Sequence, residues 1–144
     1  MQPAPGRPTT LTKPTTDTQY HIDYEWWERS DKDLVQTMIS QLPAHLRDQL
    51  SSHPHETMVD YIDPATAEVT QVDQLTLAIR LAADDPDFVT PQTSMADAIF
   101  RIFVASDNQP MSSNQLSERL GRPPQTILKM LSGQVIYYGL RPVR

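Results

Sequence analysis

With 144 residues, 38% of them hydrophobic and 21% charged, the chain is the size of one ordinary domain and too short for a catalytic superfold of roughly 200 residues or more. It contains no cysteine, which excludes disulfides, thiolate metal sites, iron–sulfur clusters and thiol catalysis, and makes a reducing, intracellular setting the expectation. The formal charge of −6 argues against a general nucleic-acid coat, but it is unevenly spread: residues 1–95 carry 6 basic and 15 acidic side chains, whereas residues 96–144 carry 6 and 3.

In residues 1–18 Pro, Thr and Gly dominate, with Leu11 as the main apolar side chain. Such a segment buries too little surface to offset its ordering entropy and reads as a disordered tail. Neither an apolar leader nor a membrane-spanning run is visible, so the expectation is a soluble cytoplasmic protein without a membrane partner.

Tyr20 to Trp27 alternates Tyr20, Ile22, Tyr24 and Trp26 with His21, Asp23, Glu25 and Trp27, the period of two of a half-buried strand; a helix beginning in the same region is the competing reading. On a strand, adjacent Trp26 and Trp27 point to opposite faces. One then anchors the core while the other serves as a protein contact or dimer seam, unless both are buried between packed elements. Ser30-Asp31-Lys32-Asp33 reads as a helix cap ahead of Leu34, Val35, Met38, Ile39 and Leu42, and Pro43 ends or restarts that helix before residues 44–50.

Two β-rich runs around Asp63-Pro64-Ala65-Thr66 predict a hairpin. Asp73 then caps a helix carrying Leu75, Leu77, Ala78, Leu81 and Ala82. Thr93-Ser94 opens a helix with Ala98, Ile99, Ile102 and Phe103 on its core face. Ser112 or Ser113 caps the next, Pro124 suits the first position of a further helix that runs to Gly133, and VIYYGLRPV predicts a final strand bent at Gly139.

LSERLGRPPQTILKMLSG, residues 116–133, concentrates the functional signal. Leu116 and Leu120 lie one helical turn apart and face the core, Gly121 permits the positive φ of a tight turn, and Ile127 and Leu131 lock a second helix against the first. Gln125, Thr126, Lys129 and Ser132 are left outside. Gln can hydrogen-bond adenine, Lys can reach guanine or phosphate, and Thr suits either a base or a phosphate. Arg119 and Arg122 flank the second helix's start, where phosphate contacts set register, and Arg141 and Arg144 add phosphate or minor-groove contacts.

Leu116, Ser117, Leu120, Gly121, Thr126, Ile127 and Leu131, with Lys129 in the basic position, resemble the repeated pattern of bacterial helix-turn-helix regulators; the order of elements over residues 95–143 is similar to that of a winged-helix domain. Arg122 stands where an apolar turn residue is usual, and Pro123 where a serine cap is usual. The resemblance covers a third of the chain and implies a sequence-specific DNA-binding protein, a transcriptional regulator working as a homodimer on double-stranded DNA, with residues 124–132 as recognition helix. The alternative is an adaptor or accessory subunit whose winged helix docks a protein. The predicted architecture is α+β: a tail over 1–18, an acidic strand–helix–hairpin–helix region over 19–92, which supplies dimer or partner contacts, and a winged-helix module over 93–144.

Enzymatic chemistry is not expected. His45, His53, His55 and Glu56 have metal-ligand types, but the last three sit around a proline in a loop sequence, SSHPHE, instead of converging from rigid elements, so no metal or other cofactor is predicted. Asp84, Asp85 and Asp87 lack calcium-loop spacing. The pairs Asp23 with Glu25 and Asp60 with Asp63 read as surface charge, and 4 scattered glycines form no phosphate loop.

Overall fold

A computed structural model describes residues 13–144. The fold is α+β, with helices packed on one small three-stranded sheet and beside one hairpin. In chain order it runs β1 (Gln19–Ile22), α1 (Tyr24–Arg29), α2 (Leu34–Ser40), α3 (Ala44–Arg47), β2 (Met58–Ile62), β3 (Val69–Asp73) and α4 (Gln74–Ala83), then α5 (Met95–Ala105), β4 (Met111–Ser112), α6 (Ser113–Leu120), α7 (Pro124–Leu131) and β5 (Leu140–Pro142).

Short polar side chains start the helices where capping chemistry places them. Asp33, Asp73 and Ser94 accept hydrogen bonds from the backbone N–H groups of Gln36, Thr76 and Asp97. Ser112 and Gln115 form a reciprocal capping box at α6. At Asp73, burial alone would raise the carboxyl pKa; the two hydrogen bonds from Thr76, with a backbone N–H of its own and the nearby His55, together outweigh it and hold the group below its ordinary range.

The sheet has the order β4-β1-β5, all antiparallel. β1 is central: Tyr20 faces Met111 on one side and Pro142 on the other, while Ile22 faces Leu140. Beyond the short β4, Asn108 takes over the ladder. Its Oδ1 accepts from the Ile22 N–H at 2.7 Å and its Nδ2 donates to the Ile22 carbonyl at 2.9 Å. The strand at 19–22 is therefore not confined to a unit ending at residue 92; both its partner strands lie beyond residue 110.

Two apolar clusters result. The larger gathers Tyr20, Ile22, Trp27, Ile99, Phe100, Phe103, Leu116, Ile127 and Leu140; the smaller joins Leu42, Leu46, Leu75, Ala78, Ala82 and Phe88. Met38 and Val89 pack against both. The hairpin β2–β3 is closed by Asp63, whose carboxylate accepts from the Ala65 N–H, with Ala67 at φ 61. No helix among the described residues is long and apolar enough to cross a membrane.

Two expected strands are cut short. After Ile22 the chain turns into α1, because the Asp23 side chain accepts from the Glu25 N–H at 3.0 Å and the Asp23 carbonyl from the Trp26 N–H at 3.1 Å. The two tryptophans therefore sit on a helix, not on opposite faces of a strand. In VIYYGLRPV only Leu140–Pro142 is extended, since Tyr138 at φ 55 and Gly139 at φ 70 turn the chain sharply before it. The predicted tail is already a defined turn from Thr15, where the Thr18 N–H donates to the Thr15 carbonyl; its first 12 residues lie outside the described part.

Candidate nucleic-acid interface

The pair α6 and α7 is joined by residues 121–123. Gly121, at φ 70, donates its N–H to the Ser117 carbonyl at 2.8 Å, and the Ser117 hydroxyl closes the turn on the Arg122 carbonyl at 2.6 Å. The small residue and the glycine read from the sequence thus make one device. Leu116 and Ile127 are fully buried and Leu131 nearly so, while Leu120 is half-buried. These contacts set the rotation of α7 and leave Gln125, Thr126, Lys129 and Ser132 exposed along its outer face.

The start of α7 lacks a capping side chain. Pro124 has no N–H, and the Thr126 and Ile127 N–H groups donate to the Pro123 carbonyl at 3.1 and 3.2 Å, leaving the Gln125 N–H for a partner outside the helix. Pro123 at φ −58 and ψ 137 enters the helix as a cap residue does, so the departure from a serine is accommodated without a change of path.

The seven residues expected to contact nucleic acid fall into three groups. Gln125, Thr126 and Lys129 share the α7 face. Arg119 and Arg122 line a hollow of about 470 Å³ with Thr90, Pro91 and Thr93 of the segment preceding α5. Arg141 and Arg144 stand apart: Arg141 is half-buried opposite His21, and Arg144 lines a hollow of about 240 Å³ with His21, Asp23 and Glu25. Carboxylates beside Arg144 make it a poorer phosphate contact than the residues on α7. Among the described residues the ion pairs are His45 with Asp85 at 3.6 Å and His55 with Glu56 at 3.9 Å, so none of the described lysines or arginines is neutralised by a contacting carboxylate.

Lys13 is a member of the α7 surface that sequence reading missed. With Pro14 it lines a hollow of about 430 Å³ against Gln125, Leu128, Lys129 and Ser132. Its only sequence signal is a positive charge in a segment free of acidic residues before Asp17.

The tryptophans form a second surface. Trp27 is 5% exposed and its indole N–H donates to the Tyr138 carbonyl at 2.9 Å. Trp26 stands edge-on to it at 5.3 Å and is half-buried. Together with Lys32, Val135, Ile136 and Tyr137 they line a groove of about 580 Å³, whose loop side exposes Val135, Ile136 and Tyr137.

Behind this groove, Tyr138 stacks on Phe100 at 4.5 Å, donates to Asp97 and accepts from the Gln41 amide at 3.4 Å. Burial first, then the bond to Asp97 and its negative charge, push the phenol pKa up to about 12. Arg101 continues the network, donating to Gln41 at 2.7 Å and to the Phe88 carbonyl at 2.6 Å.

Comparison of the chain with protein-family models, with curated proteins and with solved structures yields no match.

Proposed function

We propose that the protein is a sequence-specific DNA-binding protein of winged-helix type, a transcriptional regulator in the cytoplasm, with α7 as the helix that enters the major groove. The observation that carries this reading is the outer face of α7. It presents Gln125, Thr126 and Lys129 to solvent, with no carboxylate lining the hollow beside it. Glutamine and lysine side chains suit base edges, threonine either a base or a phosphate, and Arg119 and Arg122 are placed to hold the backbone at the helix start. So small a set of contacts gives weak binding from one copy, and a homodimer on two half-sites raises it.

A rival reading, an adaptor that docks a protein, draws support from the apolar groove beside Val135, Ile136 and Tyr137. Fluorescence anisotropy with mixed-sequence duplex DNA at low and moderate salt separates the two. The chain is expected to bind at low salt, and the double substitution Arg122→Ala with Lys129→Ala to weaken binding by roughly tenfold or more, at about 1–3 kcal/mol for a good contact. Absence of binding at low salt, or affinity unchanged by the double substitution, overturns the DNA reading.

A further inference from the structure

We propose that residues 13–18, ahead of β1, form a second DNA-contacting element, in which Lys13 grips the phosphate backbone beside α7. This rests on the DNA reading above.

The segment is fastened where it would need to be. Residues 15–18 form a turn in which the Thr18 N–H donates to the Thr15 carbonyl at 3.1 Å and the Thr15 N–H to the Thr18 hydroxyl at 2.9 Å. Asn114, in the first turn of α6, holds that turn: its backbone N–H donates to the Thr16 carbonyl at 3.2 Å, and its side-chain amide to Asp17 at 2.8 Å and to the Thr16 hydroxyl at 3.4 Å. The anchor directs the preceding residues across to α7, where Lys13 and Pro14 meet Gln125, Leu128, Lys129 and Ser132. Two ammonium groups thus line one hollow that no carboxylate lines.

Like charges gathered on one surface without an internal counter-charge are favourable only toward an external anion, and duplex DNA offers one charge per about 1.7 Å of axis. Residues 1–16 carry Arg7 and Lys13 and no acidic side chain, so the electrostatics of the arm have a single sign. Basic arms that leave a helical reader and enter an adjacent groove are an established way of adding affinity with little direct base readout.

The test uses the full chain, mixed-sequence duplex DNA and a salt series. The slope of log K against log salt is expected to fall in magnitude by about 0.9 in Lys13→Ala, as for one phosphate contact. The urea midpoint should not move, because Lys13 forms no side-chain hydrogen bond or ion pair among the described residues. If the unaltered chain binds, Lys129→Ala lowers the slope and Lys13→Ala leaves it unchanged, the arm is refuted and the α7 reading stands. If the unaltered chain ignores the duplex at low salt, both fall. Binding of an acidic protein surface in place of DNA, weakened by Lys13→Ala, would likewise overturn the assignment.

Discussion

The turns on either side of α7 each turn on a left-handed glycine and differ in what surrounds it. Gly121 and Gly139 both sit at φ 70. A Cβ built on Gly121 meets nothing within 4 Å, whereas on Gly139 it falls 2.7 Å from the Trp27 indole nitrogen and 2.9 Å from a Trp26 ring carbon. The first glycine answers a backbone requirement alone and lies in the open, next to Arg119 and Arg122. The second answers that requirement and a packing one, because the loop between α7 and β5 is clamped onto the tryptophan pair. The polar α7 face is thus held by an open, local turn, and the apolar loop by a dense, non-local one.

The largest expected effect breaks the packed side of this comparison. Gly139→Ala combines left-handed strain of about 1–2 kcal/mol with overpacking of about 1–3 kcal/mol, so urea unfolding should show a loss of roughly 2–5 kcal/mol. Gly139→Asn should do no better, since asparagine tolerates the dihedral but not the clash. A cost equal to that of Gly121→Ala would mean that the tryptophans yield and the loop is not clamped.

Tyr138, next to that glycine, gives an intermediate effect with a definite sign. The unfolded chain releases the phenol proton near pH 10 and the folded chain holds it to about 12, so the unfolded state binds fewer protons in that window. The associated stability is fully present below pH 10 and declines as the pH rises to about 12. Urea midpoints across this range should fall less steeply in Tyr138→Phe, with a remainder from Tyr20, whose pKa burial also raises. Identical slopes in the two proteins would remove Tyr138 from the alkaline transition.

The smallest effect sharpens the open side. Gly121→Ala should lose only about 1–2 kcal/mol, and Gly121→Asn should recover most of it, because no side chain stands in the way. Failure of asparagine to recover stability would show that the turn has a steric demand of its own.

Local chemistry makes much of the fold legible in the sequence. The caps at Asp33, Asp73, Ser94 and Ser112, the apolar faces of α5 to α7 and the Gly121 turn all depend on residues within a few positions of one another. The α7 face was readable for the same reason, since helical periodicity fixes which residues remain outside once Ile127 and Leu131 are buried. What escaped depends on partners far along the chain. The alternation from Tyr20 to Trp27 fits a strand, yet Asp23 interrupts it, and the Asp23 N–H is taken by the Gly139 carbonyl at 2.8 Å. Asn108 reads as one more polar loop residue, although it completes a ladder with Ile22. Lys13 reads as part of a tail for the same reason: its place beside Lys129 follows from Asn114 holding Thr16 and Asp17.

The central position of β1 also bears on the order in which the chain acquires its shape. Its ladder with Leu140–Pro142 joins residues at the two ends of the fold, so the larger core cannot close until β5 is free to participate. Closing such wide separations is slow, because loop entropy is lost before the long-range contacts compensate. During synthesis β1 can meet β4 and Asn108 first, but its other edge must wait, unpaired, for β5 to emerge. A chain truncated before Leu140 would retain α6 and α7 in sequence but lose one of the two strands that enclose the core beneath them.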